Sequence, residues 1–183
     1  IKSLALNGYK EVVLIGINLG KFGSDLTEKV NLSKVIQKIE NIDGIERIRL
    51  SSIELPYITD ELINTLFYSK KVCNHLHIPL QSGSDKILKL MRRNYSISQF
   101  EKTIGKLNRK NPDITITTDI VVGFPGEDDY SFQETMKFAR KLKFSKIHIF
   151  PYSERPFNLA SFLPDKIESK TIKERCDEMA DLT

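Results

Sequence analysis

Hydrophobic and polar positions along the chain follow two different periods. Runs of β-branched and aliphatic residues predict five strands, at 11–18, 47–54, 76–81, 115–124 and 146–153. Apolar residues at helical spacing predict helices at 31–42, 59–70, 85–91, 98–109, 128–142 and 170–181. Thr59 is the predicted N-cap of the second of these helices, and a helix tail that ends at Gly8 precedes the first strand.

Regular alternation of strands and helices predicts an α/β fold with a parallel sheet and right-handed crossovers. If the helix tail at the start is a crossover, a first strand is missing and the parent unit has six strands. Six strands suit an open (β/α)6 barrel as well as a doubly wound sheet. We therefore expect residues 1–183 to form one α/β domain that is incomplete at its N-terminus.

Composition narrows the class of protein only slightly. With 40% hydrophobic and 28% charged residues, the chain is expected to be a cytoplasmic globular protein. It has no apolar run of membrane-spanning length, and its first residues are not expected to form a signal peptide. The net charge of +4 permits a nucleic-acid partner without requiring one. Cys73 and Cys176 have no metal-ligand spacing and are interpreted as ordinary buried thiols.

Polar residues end several of the predicted strands, where parallel α/β proteins place their chemistry. The residues at these ends are Asn18, Glu54, Gln81 and Tyr152. Asp119 lies inside the fourth strand, in the stretch TDIVVGFPGE, whose apolar run is typical of a strand covered on both faces. A carboxylate in such a strand needs a partner, which predicts a site rather than a solvated loop.

Three histidines lie on predicted strands: His75, His77 and His148. They are interpreted as hydrogen-bonded core or rim residues, because no cysteine or second acid lies at metal-ligand spacing beside them. A cluster-free (β/α) enzyme with a Schiff-base lysine remains an alternative function. The only lysine on a strand, Lys146, begins its strand at the end far from the expected site, which disfavours that alternative.

Five stretches together resemble the methylthiotransferases of the radical S-adenosylmethionine superfamily. They are GYKEVVLIGINLGKFG (8–23), RLSSIE (49–54), HLHIPLQSGSDKILKLMRRNYS (75–96), TDIVVGFPGE (118–127) and FPYSERP (150–156). The resemblance covers nearly the whole chain, in order, and implies a partial (β/α)6 radical SAM barrel. GINLGKFG and RLSSIE resemble most the branch that adds a methylthio group at C2 of N6-threonylcarbamoyladenosine, next to the tRNA anticodon. The isopentenyladenosine and ribosomal-protein branches remain alternatives.

The resemblance also implies roles for individual residues. Four matching positions are implied to hold the amino acid and ribose parts of S-adenosylmethionine: Glu54, Gln81, Arg93 and Asp119. Val121 and Val122, with the backbone of 150–152 that includes Tyr152, are implied to contact the adenine. The residue types fit these roles, since acids and an amide accept from an amine and hydroxyls while a guanidinium pairs with a carboxylate.

Further cofactors and partners follow from the same resemblance. The family uses 4Fe-4S clusters, and its cluster-binding CxxxCxxC belongs on the loop after the strand that is missing here. We expect the family's N-terminal cluster domain and C-terminal RNA-binding β-barrel to lie outside residues 1–183 as well, and we expect residues 1–183 to be inactive alone. The full-length parent is expected to act on a tRNA anticodon loop with an electron donor. Pro156 is followed by Phe157-Asn158 instead of the family's Gly-Thr, so the geometry of that loop is expected to differ.

Overall fold

A computed structural model describes residues 1–28, 30–156 and 158–182 of the chain. The helices are α1 (Lys2–Leu6), α2 (Leu32–Glu40), α3 (Asp60–Tyr68), α4 (Asp85–Leu90), α5 (Ile97–Lys110), α6 (Asp129–Leu142) and α7 (Ser169–Ala180). The strands are β1 (Glu11–Leu14), β2 (Arg47–Leu50), β3 (His75–His77), β4 (Thr115–Val122) and β5 (Lys146–Pro151). Short 3-10 helices lie at Leu19–Lys21, Leu55–Tyr57 and Leu159–Phe162. No helix in these described ranges is both long and apolar enough to span a bilayer.

The chain folds into two compact units. The first unit comprises residues 1–78 and 105–115, and the second comprises 79–104 and 116–183. In the first unit, β1 pairs in parallel with β2 in a register that runs from Glu11 opposite Arg47 to Leu14 opposite Leu50. In the second unit, β4 pairs in parallel with β5, and Asp119 lies opposite His148. These parallel pairings confirm the predicted α/β class.

Each unit has its own apolar core. Ile36, Ile48 and Ile53 are fully buried in the first unit, and the removal of such side chains from water is the main stabilising contribution to folding. In the second unit Phe100, Ile120 and Met136 are equally buried. The Phe100 and Phe138 rings meet edge to face at a centroid distance of 6.2 Å, a favoured geometry for two aromatic rings.

Helix starts follow the capping residues in the sequence. The hydroxyl oxygen of Thr59 accepts from the backbone N–H of Leu62 at 3.2 Å, which confirms the predicted N-cap of α3. The side-chain oxygen of Asn31 accepts from Lys34 N–H at 3.0 Å and begins α2 in the same way. Both caps supply an acceptor to a backbone donor that has no partner within the helix.

All five strands end before the residue that the sequence predicts. β1, β2 and β3 were expected to reach Asn18, Glu54 and Gln81 but end at Leu14, Leu50 and His77. β4 and β5 end at Val122 and Pro151, each two residues early. Pro79 has no backbone N–H to give to a ladder, and Gln81 has a left-handed φ of 67°. The residues after His77 therefore leave regular strand geometry before the predicted end.

Candidate cofactor site

A cavity of about 400 Å³ opens in the second unit. Among the residues that line it are Gln81, Arg93, Val121 and Tyr152, four of the seven residues predicted for the cofactor site. Phe124 adds an aromatic wall, and its ring meets that of Tyr152 edge to face at a centroid distance of 5.3 Å. An apolar wall with a few polar groups is typical of a small-molecule site.

Gln81 enters this cavity from a strained backbone. Its φ of 67° lies in the left-handed region, which residues with a Cβ rarely adopt. Two backbone hydrogen bonds hold it there: its N–H donates to Asp119 O at 2.8 Å, and its carbonyl accepts from Val121 N–H at 2.9 Å. Strain that neighbours enforce in this way is concentrated at functional sites in proteins.

Arg93 is placed by the turn that ends α4. Arg92 adopts a left-handed φ of 56°, and its N–H donates to Lys89 O at 3.0 Å. The N–H of Arg93 then donates to Leu88 O at 2.9 Å, which completes a Schellman motif. Glycine usually occupies the left-handed position of this motif, so the arginine there gave no sign of the turn in the sequence.

Asp119 and Val121 lie on the same face of β4, because side chains alternate along a strand. That face is half-buried, while Ile120 and Val122 on the opposite face are fully buried. The prediction that this run is covered on both faces is therefore wrong for the Asp119 face. This half-buried face therefore presents a carboxylate and an aliphatic side chain on the same side of the strand.

Glu54 belongs to the first unit, at the N-cap of the 3-10 helix Leu55–Tyr57. Asn18 Nδ2 donates to Glu54 Oε2 at 3.5 Å, a long hydrogen bond. The absence of a Cβ at Gly20 lets the segment after β1 pack against Tyr57, because a Cβ on this residue would lie 2.4 Å from Tyr57 Cβ. Asn18 was recognised in the sequence as a strand end but was not included among the predicted site residues.

The turn after β4 is held by a buried carboxylate that the sequence analysis also missed. Glu127 Oε2 accepts from Gly123 N–H at 2.7 Å, and only 1% of the Glu127 residue is exposed. Burial raises the pKa of Glu127 above its usual value, although the Gly123 N–H and the Arg175 guanidinium both lower it. Gly123 has a φ of 82°, and a Cβ there would lie 2.3 Å from Ile172 Cγ1 on α7.

Comparison with known proteins decides the family. The profile of the Radical SAM superfamily matches residues 1–139. This chain belongs to the radical SAM superfamily. The family predicted from the sequence is therefore confirmed.

The structure of a radical SAM enzyme from Escherichia coli, coproporphyrinogen III oxidase (HemN), has the same fold. Its superposition gives a TM-score of 0.67 over 82% of this chain and 35% of that chain, at 15% sequence identity. At this identity the likeness concerns the fold alone, and it supports the predicted partial barrel class.

Curated relatives of this radical SAM chain carry two kinds of name. The threonylcarbamoyladenosine tRNA methylthiotransferases of Thermotoga maritima and Bacillus subtilis are 44% and 42% identical over 95% and 96% of this chain. A tRNA-2-methylthio-N(6)-dimethylallyladenosine synthase of a Thermoanaerobacter species is 41% identical over 100% of this chain. The chain spans about 40% of the length of these relatives.

Proposed function

We propose that this radical SAM chain forms the S-adenosylmethionine-binding part of a tRNA methylthiotransferase. The observation that carries the proposal is the identity of about 40% to proteins named as tRNA methylthiotransferases, maintained along at least 95% of the chain. An alignment of this extent includes all the residues predicted for the cofactor site.

The cavity in the second unit supports the placement of the cofactor. Arg93 carries a fixed positive charge that can pair with the carboxylate of the cofactor. The amide oxygen of Gln81 can accept a hydrogen bond from a hydroxyl of the cofactor. Val121 and Tyr152 give the apolar wall that an adenine ring needs. Asp119, on the same strand face as Val121, is assigned to the ribose hydroxyls, and Glu54 is assigned to the amine.

When bound beside a reduced 4Fe-4S cluster, S-adenosylmethionine supplies a 5′-deoxyadenosyl radical. The role of this chain's residues is to bind and orient the nucleoside and to keep water away from it. A cluster takes three or four cysteine thiolates, whereas the chain has two cysteines, Cys73 in the first unit and Cys176 in the second. We therefore propose that the cysteines that bind the cluster lie outside residues 1–183.

For the substrate, we assign the chain to the threonylcarbamoyladenosine branch, with methylthiolation at C2 of the base in a tRNA anticodon loop. The stretches GINLGKFG and RLSSIE favour this branch, and the relatives from Thermotoga maritima and Bacillus subtilis carry its name. The dimethylallyladenosine branch is the second candidate, because relatives with that name reach 41% identity along the full chain.

Mass spectrometry of tRNA nucleosides tests the activity and the branch together. Disruption of the gene that encodes this chain should abolish 2-methylthio-N6-threonylcarbamoyladenosine and leave the unmethylthiolated nucleoside in its place. Loss of the 2-methylthio-isopentenyl nucleoside instead would assign the second branch. Unchanged levels of both nucleosides would refute the proposed function.

A further inference from the structure

Gln81 lies at the centre of a three-residue turn, because the N–H of Ser82 donates back to Leu80 O at 2.9 Å. A turn of this kind with a positive φ at its centre is the rare and strained form, and the φ of Gln81 is 67°. Strained backbone persists only where its surroundings hold it in place. The hydrogen bonds to β4 hold the main chain of Gln81 itself. The exit from the turn, at residues 82–83, needs a second anchor.

Thr135 on α6 provides this anchor with a single hydroxyl group. Thr135 Oγ1 accepts from Gly83 N–H at 3.0 Å and lies 3.2 Å from Ser82 Oγ. The same hydroxyl donates to Ser131 O, four residues back on α6, at 3.0 Å. Because a threonine hydroxyl has one hydrogen, the hydroxyl of Ser82 must be the donor to Thr135. Thr135 therefore uses its hydrogen on its own helix and both of its lone pairs on the residues that follow Gln81.

The contact between this loop and α6 is buried and closely packed. Ser82 and Thr135 are both fully buried. A Cβ at Gly83 would lie 2.6 Å from Thr135 Cα and 3.1 Å from Phe138 Cβ, so the loop backbone lies directly on the helix. Loss of Thr135 Oγ1 would leave a buried N–H and a buried hydroxyl without their acceptor, which is costly because both are shielded from water.

We infer that Thr135 is a positioning residue for the cofactor site, which acts through Ser82 and Gly83 to hold the Gln81 amide in the cavity. This inference rests on the proposed function, in which Gln81 accepts from a hydroxyl of S-adenosylmethionine. Within the described part of the chain Thr135 is not among the residues that line the cavity, so its contribution to binding is indirect. Relaxation of the turn to a negative φ would redirect the Gln81 side chain relative to β4, and the Thr135 hydroxyl opposes that relaxation.

Calorimetric titration of the 183-residue chain with S-adenosylhomocysteine tests the inference. Thr135→Val has a similar shape but lacks the hydroxyl, and we expect it to weaken binding about 5-fold. Thr135→Ser keeps the hydroxyl and should bind within about twofold of wild type. Thr103→Val on α5 is the matched control, because Thr103 Oγ1 makes the same hydrogen bond four residues back, to Gln99 O at 3.0 Å, at an exposed site. This control should change the affinity less than about twofold.

A double substitution separates a positioning role from general destabilisation. Where Gln81→Gly has already removed the amide, Thr135 has no side chain left to position. Thr135→Val should then weaken binding further by less than about twofold. A general loss of stability would instead act alike in both backgrounds. Effects of the two substitutions that simply multiply would overturn the inference.

The outcomes separate the inference from the proposed function. If the wild-type chain binds S-adenosylhomocysteine and folded Thr135→Val binds it equally well, the role of Thr135 is refuted and the cofactor site stands. If the wild-type chain does not bind the probe, the cofactor placement fails and the inference fails with it. Should Thr135→Val not fold, Ser82→Ala takes its place, since it removes the hydroxyl that donates to Thr135 and leaves α6 unchanged. The inference then requires the same coupling between Ser82→Ala and Gln81→Gly, and multiplying effects would refute it.

Discussion

Arg175 on α7 donates from Nη1 to both the main-chain oxygen and the carboxylate of Glu127, at 2.8 and 3.2 Å. Its Nη2 donates to Asp129 Oδ1 at 2.6 Å, and its guanidinium lies 5.2 Å from the centre of the Phe132 ring. Both partners of the central pair are buried, with 8% and 1% of their side chains exposed. The charge of each compensates for the burial of the other.

Replacement of Arg175 by methionine should therefore be strongly destabilising. Arg175→Met keeps most of the side-chain volume but leaves the Glu127 carboxylate buried without its cation, and we expect a loss of about 3–5 kcal/mol in the free energy of unfolding. Urea denaturation measures this loss in the free energy of unfolding. Lys170→Met on the same helix is the control, since 85% of that side chain is exposed and the expected change is within about 0.5 kcal/mol. Equal effects of the two substitutions would contradict the buried pair.

The raised pKa of Glu127 predicts a pH dependence with a definite sign. The folded protein keeps a proton on this carboxyl at pH values where the unfolded chain, with a pKa of 4.5, has released it. The unfolded state thus binds fewer protons in this window, and the contribution of Glu127 to stability falls as pH rises from the unfolded pKa through the folded one. The free energy of unfolding of wild type minus that of Glu127→Gln should decline over this range and then level off. A difference that increases with pH would show that the folded pKa is lowered instead.

Gly123 and Gly8 form a matched pair for glycine substitution. Their φ angles are 82° and 85°, but a Cβ at Gly8 meets no atom within 4 Å, whereas one at Gly123 meets Ile172. Gly8→Ala should cost about 1–2 kcal/mol, from backbone strain alone. Gly123→Ala should cost about 1–3 kcal/mol more, from overpacking.

A double substitution separates the two costs at Gly123. Combining Gly123→Ala with Ile172→Ala removes the steric contact, so chemical denaturation should show the pair to be less destabilising than the sum of the single changes. Simple additivity would mean that α7 does not close on the turn.

Gln81→Gly should separate stability from ligand binding. Glycine adopts a φ of 67° without strain, so the free energy of unfolding should stay within about 1 kcal/mol of wild type. Loss of the amide should weaken S-adenosylhomocysteine binding about 10-fold, measured by calorimetry. Lys143→Gly is the control, because this exposed residue ends α6 with a φ of 50° and lies away from the cavity lining. If both variants keep full affinity, Gln81 has no role in binding.

Several features of the fold and the candidate site follow directly from local sequence patterns. The order of elements follows from hydrophobic periodicity, and the capping role of Thr59 follows from its residue type. Residues Gln81, Arg93, Val121 and Tyr152, chosen from strand ends and the family resemblance, line one cavity. Their roles toward the cofactor remain predictions.

Other features depend on contacts that no local pattern encodes. Glu127 and Arg175 are 48 residues apart, and either one in isolation is typical of a solvated surface residue. The early end of β3 reflects Pro79 and the left-handed backbone of Gln81, which the apolar run around them conceals. Phe157, part of the expected departure from the family pattern, lies outside the residues that the structure describes.

Helix α7 restrains the turn between β4 and α6 through two residues that lie one helical turn apart. Ile172 packs over Gly123, and Arg175 neutralises the charge of Glu127. A proteolytic cut at the start of α7 would release both restraints at once. Excision of the last helix is thus expected to loosen the turn beside the cavity that Val121 and Phe124 line, and engineered variants of this chain should keep that helix attached.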